Sequence, residues 1–332
     1  MKSRHSLVAF AVIAAVSLPM WISSASANGD LWARWTDHLR HEGEALAFEH
    51  QGFTLYAKSY DEATTGVQLP CPDHAGLWGN TGVPYPPLGI LVHWPIARLE
   101  RGGVLAPATA HRLLTWFFGV AGLACIALGL HHLRGARRIV FVLLFGPLLI
   151  GAGISGFYDT LFVLAALAAI ITGSQALATL GYLLHFRGLV SVTFVSWRAR
   201  TRLTLLSALA IVLNTVLAVI AFTHLGVFEL NSRLHYSRPA AWWFPPVTLV
   251  VCWFVRAEKL ALPLLLTAGL MFVDRQVSFW HLLIFVPLAF SVLRSGSTRA
   301  AWLIIGWMAI TAQAYLDTWT PFPVQWLLMR SL

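Results

Sequence analysis

The chain has 332 residues, 58% of them apolar and 11% charged, with a mean hydropathy of +0.69. A soluble domain carries about a quarter charged residues, so this composition excludes an ordinary cytosolic enzyme, and its apolar content excludes a disordered chain. The formal charge of +9 does not point to nucleic acid, because basic residues beside apolar runs are topology signals.

The first apolar run is Ser6 to Ile22, preceded by Lys2 and Arg4. That flank places the N-terminus in the cytoplasm. The run also has the layout of a signal peptide, with Ala25-Ser26-Ala27 as an A-x-A site. A membrane anchor and a cleaved leader are therefore alternative readings, and in both Asn28 starts on the outer side. Asn28 to Pro84 is the long polar stretch, and eight of the chain's 14 acidic residues lie between Asp30 and Asp73. Leu88 to Leu99 is too short to span a bilayer, is amphipathic, and has Arg98 and Arg101 at its end, which predicts a helix lying in the interface. Residues 24–107 thus read as an outer loop with membrane-parallel helices.

Ala108 to Leu130 spans inward, His131 to Arg138 makes a basic turn, and Ile139 to Ile154 spans outward. Thr160 to Thr172 returns and ends at Gly173-Ser174-Gln175. The segment Ala176 to Ser196 sets the topology. As one helix it would put Arg198, Arg200 and Arg202 outside, against the positive-inside bias. It would also bury Arg187, at about 2.5–3.5 kcal/mol on insertion scales. A broken hairpin, up to about Phe186 and down from Gly188, removes both problems, and such breaks occur where backbone lines a cavity. The remaining spans alternate: Leu203 to Phe222, Trp242 to Val255, Leu260 to Val273, Ser278 to Leu293 and Ala300 to Leu316. The expected fold is all-α, a single polytopic transmembrane domain over residues 1–332 with about 10–11 membrane helices.

On this topology the ionisable residues in or against the membrane are Asp30, Asp159, His185, Arg187, Asp274, Arg275 and His281, all near the outer leaflet. Intramembrane ionisable residues are functional candidates by default, and their clustering implies one outward-facing polar cavity. Carboxylates can act as general bases, and Arg grips phosphate through a bidentate fork. Each residue also has a plain structural use. Asp159 can cap the helix that follows it, Asp274 and Arg275 can form a loop pair, and His281 can bond a neighbouring helix. His38, His41 and His50 match no metal-ligand spacing, so no metal site is assigned. Cys71, Cys125 and Cys252 lie far apart and imply no disulfide framework. Pro86 and Pro87 make a good helix start, because Pro there leaves no N–H unpaired.

Four stretches carry a resemblance. GDLWARWTDHL (Gly29 to Leu39) follows the first helix, and TGVPYPPLGIL (Thr81 to Leu91) opens the interfacial one. GFYDTLFVLAALAAI (Gly156 to Ile170) starts a span, and ATLGYLLHFRGLVSV (Ala178 to Val192) is the broken hairpin. In order and spacing these resemble the C-type glycosyltransferase superfamily (GT-C), polytopic enzymes that take sugars from polyprenyl-phosphate donors on the outer or lumenal face. Asp274 to Leu288 is similar to a late span near the donor in that family. Arg187 stands where the family more often has Lys. The resemblance implies a conserved module over residues 1–200 and a variable transmembrane part over residues 201–332.

It further implies an inverting single displacement, in which an acceptor hydroxyl attacks the anomeric carbon and polyprenyl phosphate leaves. Asp30 is then the catalytic base, with Asp37 and Glu44 as fallbacks. Arg187, Arg275, His281 and His185 bind the donor phosphate, and Asp159, Tyr85 and Tyr158 orient the sugar or acceptor. The implied partners are a polyprenyl-phosphate hexose or pentose, a glycan, lipid or protein acceptor, and membrane lipids, with no nucleic acid. No cofactor is required, and the acidic outer loop leaves room for a divalent ion. The short loops and signal-like N-terminus place the chain in a bacterial inner membrane, with its active site facing the cell envelope. The alternative reading is a transporter or flippase for a lipid-linked or anionic solute, since a broken helix with Arg at its tip also suits an anion site. A third is a structural or assembly subunit.

Overall fold

Proline and glycine place most of the helix boundaries. The computed structural model describes residues 37–67, 83, 85–154, 156–192, 195, 204–224 and 283–295, which are helical or irregular. In chain order the helices are α1 (Asp37–Gln51), α2 (Tyr60–Thr64), α3 (Pro87–Leu91), α4 (Trp94–Arg101), α5 (Pro107–His132), α6 (Ala136–Ile154), α7 (Asp159–Thr172), α8 (Gln175–Leu184), α9 (Leu205–His224) and α10 (Phe285–Ser295). A 3-10 turn at Gly52–Ala57 follows α1, and another at Phe186–Gly188 follows α8. The expected spans Ser6 to Ile22, Trp242 to Val255, Leu260 to Val273 and Ala300 to Leu316 lie outside the described residues.

Two helices are long and apolar enough to cross a membrane, Pro107–His132 and Ala136–Gly153. Pro107 opens α5 at a position where its missing N–H costs nothing. Pro147 sits inside α6, as membrane helices tolerate. The basic turn between them is shorter than expected. His131 and His132 close α5, and Arg137 and Arg138 already belong to α6.

The antiparallel helices α5 to α8 pack in sequence, α5 on α6 and α7, and α7 on α8. Small residues let α5 and α6 approach closely: a Cβ on Gly153 would lie 2.6 Å from the Gly119 Cα. Thr160 at the start of α7 donates its hydroxyl to the Phe118 carbonyl of α5 at 2.9 Å. Phe141, Phe145, Phe162, Phe285 and Phe290 fill the core that α6, α7 and α10 share. At one end of this bundle arginines meet helix C-termini, where carbonyls lack intrahelical donors. Arg294 donates to the Ile170 carbonyl at 3.0 Å, and Arg137 to the Leu293 carbonyl at 3.3 Å. Up-down connectivity sends the last turn of α6, the first of α7 and the last of α8 to the opposite end.

That opposite end carries α1 to α4 as a covering layer. The expected outer loop is here a folded layer with its own apolar core of Leu55, Tyr56, Ala63 and Ile90, which reaches Leu217 of α9. The single interfacial helix expected over Leu88 to Leu99 is two helices. Pro95 has no N–H to continue the ladder from α3, and its ring clashes with the preceding turn, so a new helix begins at Trp94 with His93 as its N-cap. Glu49 of α1 ties down α4, pairing with Arg98 at 3.1 Å and accepting from Trp94 Nε1 at 3.2 Å.

Outward faces of the long helices are apolar. Phe117 and Val120 on α5, Leu143 on α6, and Leu206, Leu209 and Val212 on α9 are all more than half exposed.

Candidate functional site

The break after α8 creates the site. Ser174 starts α8 by accepting from the Leu177 N–H at 3.3 Å, and Gly173 makes the preceding turn at φ 72°. After Leu184 the chain becomes extended at His185 (φ −150°, ψ 136°), tightens through Phe186–Gly188, and is helical again over residues 189–192. The expected interruption between Phe186 and Gly188 is present. Gly188 is required there, because a Cβ would collide with the Gly181 carbonyl. The backbone groups released by the break are recaptured: Asn214 of α9 donates to the Tyr182 carbonyl at 2.8 Å, and Ser191 donates to the Gly188 carbonyl at 2.6 Å. Such repair is what makes a broken helix tolerable away from water.

At this break Arg187 is buried and donates from Nη1 to Asp159 Oδ1 at 3.1 Å. The Arg187 N–H donates to His185 Nδ1 at 3.1 Å. An imidazole nitrogen that accepts leaves the proton on its partner nitrogen, so His185 Nε2 is the N–H, 3.4 Å from Asp159 Oδ1. Two donors thus converge on one carboxylate oxygen. The capping use expected as an alternative for Asp159 is corrected: Tyr158 is the N-cap of α7, without a side-chain cap, and the Asp159 carboxylate serves Arg187 instead.

Tyr158 and Tyr85 join this cluster to the covering layer. Tyr158 stacks on His185 with ring centroids 5.6 Å apart, and Tyr85 lies 5.8 Å from Tyr158 and 6.2 Å from His185. Tyr56 fixes the backbone here by donating to the Tyr85 carbonyl at 2.6 Å. Gly89 lets α3 press in, since a Cβ there would collide with the Leu184 carbonyl and touch the Tyr158 ring.

The layer brings its own charges. Arg40, His41, Glu42 and Glu44 of α1 are all buried. Arg40 Nε donates to Glu44 Oε1 at 2.8 Å, and Glu44 Oε2 lies 3.1 Å from His41 Nδ1. Glu44 thus bridges the Arg40 guanidinium and the His41 ring. His93 donates from Nδ1 to the Gly89 carbonyl at 3.2 Å, since a carbonyl can only accept. Burial, and then the nearby His41, hold His93 well below the ordinary imidazole range, so it is neutral at pH 7. The rings of His41, His93 and Tyr158 are mutual neighbours, with centroids 4.8, 5.2 and 5.6 Å apart. His41 Nε2, His93 Nε2 and Tyr158 Oη are buried without a hydrogen-bond partner among the described residues. Buried polar atoms in folded proteins are nearly always paired, so three in one place mark where a ligand's polar groups would be received.

Of the residues expected from sequence, Glu44, Tyr85, Tyr158, Asp159, His185 and Arg187 are brought together here. Asp37 begins α1. Asp30, Arg275 and His281 lie outside the described residues. Sequence reasoning passed over Arg40, Glu42, His93 and Glu100, and weighed His41 only as a metal ligand. For α1 a signal existed: Arg40 and His41 stand four and three residues before Glu44, the spacing of neighbours on one helix face. His93 carried none. No group of three or more His, Cys, Asp or Glu is disposed to hold a metal ion among the described residues. Compared with known proteins, the chain matches no family model, no curated protein and no solved structure.

Proposed function

We propose that this chain is a polytopic membrane glycosyltransferase of the GT-C kind, which moves a sugar from a polyprenyl-phosphate donor to a glycan, lipid or protein acceptor on the outer face of a bacterial inner membrane. One observation carries the reading. Three of the four stretches that bear the resemblance, far apart in sequence, meet within one cluster: Tyr85 from the second, Tyr158 and Asp159 from the third, His185 and Arg187 from the fourth. The apolar outward faces of α5, α6 and α9 support a lipid surround, since a soluble protein rarely leaves such continuous apolar area in water.

In this reading Arg187 receives the leaving phosphate. Its guanidinium is held by Asp159, so little reorganisation is needed as negative charge develops. Tyr85 and Tyr158 lie against the sugar, offering aromatic faces and hydroxyls. Asp30, which lies outside the described residues, is the candidate base.

The test is transfer from a panel of radiolabelled polyprenyl-phosphate hexoses and pentoses, with membranes holding wild type, Asp30→Asn or Arg187→Ala and a host lipid extract as acceptor. The expected result is transfer by wild type, lost in Arg187→Ala while the protein still inserts. Donor binding without transfer to any acceptor would favour the flippase reading, and absence of donor binding would end both.

A further inference from the structure

The bundle end farthest from the covering layer carries charge of one sign. Every described Asp and Glu belongs to α1–α4 or, as Asp159, to the bundle end beneath them. The far end holds His131 and His132 at the close of α5, Arg134 in the turn, Arg137 and Arg138 at the start of α6, and Arg294 at the close of α10. The His131 and His132 ring centroids are 4.8 Å apart, and His132 lies within electrostatic reach of Arg294, so these elements bring their cations into one patch. We propose that this patch is a headgroup site for an anionic phospholipid of the leaflet it meets, the cytoplasmic one on the topology read from sequence. Arg134, Arg138 and Arg294 take the headgroup phosphate, and Ile139 and Leu143 lie against the acyl chains. The site rests on the membrane setting proposed above and not on glycosyl transfer.

Part of the patch has a structural use. Arg138 Nε donates to the Leu133 carbonyl at 2.6 Å, and Arg137 and Arg294 bond carbonyls in the last turns of α10 and α7. These bonds orient the guanidinium groups without neutralising them, because a carbonyl accepts an N–H and removes no charge. Helix ends offset little. The C-termini of α5, α7 and α10 each supply about half a negative charge, and the N-termini of α6 and α8 at the same end each return about half a positive one. Four arginines therefore face a net helix-end charge of roughly minus one half. Arg134 has no structural use at all: its side chain is exposed and bonds no other described residue.

The chemistry selects a phosphate on hydrocarbon. Arginine offers paired N–H groups to phosphate oxygens, and basic groups at the cytoplasmic membrane surface attract anionic lipids. Directly past Arg138 the surface of α6 turns apolar, with Ile139 and Leu143 one turn apart and both more than half exposed. A phospholipid has the same order of charge and hydrocarbon. A nucleic acid would leave that apolar step uncovered.

The test uses the full-length protein reconstituted into nanodiscs of phosphatidylcholine and phosphatidylglycerol in equal amounts, with native mass spectrometry reading which lipids stay bound. Wild type should retain phosphatidylglycerol over phosphatidylcholine, and added salt should weaken the preference. Arg134→Gln is expected to lower it about fivefold, the share of one arginine at a membrane surface, and Arg134→Lys to keep most of it. Arg98→Gln, in the covering layer, should leave it unchanged. Equal retention of the two lipids by wild type would overturn the site. So would an unchanged preference in the Arg134→Gln, Arg294→Gln double variant, or its loss in Arg98→Gln instead. Soluble glycerophosphoglycerol that displaces phosphatidylglycerol at equal concentration would give the patch to a free phosphate and overturn the lipid. A chain that does not enter nanodiscs would overturn the membrane setting, and this site with it.

Discussion

The protein buries charge in two adjoining regions and treats it differently. At the break after α8, the Arg187 cation meets Asp159 at 3.1 Å and the His185 ring lies 3.4 Å from the same oxygen. In the covering layer the Arg40–Glu44–His41 chain is ordered in the same way, but beside it the Glu42 and Glu100 carboxyls are buried next to each other without a cation among the described residues. The first region uses an ion pair to hold a cation in place. The second buries carboxyl oxygens and imidazole nitrogens that no such pair holds.

Removing one member of the ion pair should show the largest effect. Arg187→Met leaves a buried carboxylate without its cation and is expected to cost about 3–5 kcal/mol, read as a fall in Tm in detergent. Combining it with Asp159→Leu should restore most of that loss, because the pair together replaces charge by packing. Glu44→Gln tests the covering layer in the same way. It weakens two charge-assisted hydrogen bonds, from Arg40 and His41, and should cost about 1.5–3 kcal/mol.

A pH series separates the regions further. Burial, then the neighbouring Glu100 carboxylate, hold Glu42 well above the ordinary carboxylate range, and burial raises Glu100 as well. The folded protein then binds these protons more tightly than the unfolded chain. The stability they contribute is fully present below the unfolded value, about 4.3 for Glu, and is lost as pH rises through the raised folded values. Tm should therefore decline with rising pH over that window, and Glu42→Gln should flatten the decline. The smallest effect is expected at the junction of the regions. Tyr56→Phe removes the bond to the Tyr85 carbonyl and should cost about 0.5–1.5 kcal/mol, measured by denaturant unfolding.

Much of the helical frame was legible in the chain itself. Apolar runs of membrane length marked α5 and α6, Gly173-Ser174 marked the turn into α8, and the cost of burying Arg187 marked the break after it. These are local consequences of hydropathy, proline and glycine, and they hold whatever surrounds them. The covering layer was not legible, because its residues read as an acidic polar loop. The charged side chains of α1 are buried because partners arrive from elsewhere: Tyr85 and His93 from either end of α3, and Tyr158 from the bundle.

The sequence by itself thus determined where helices start and stop and which buried cation needed a counter-charge. It could not choose that counter-charge, since the 28-residue separation of Asp159 and Arg187 is closed by the packing of α7 on α8. Nor could it show that His41 Nε2 is buried beside Tyr158 without a partner among the described residues, because that is decided by which helices close over it.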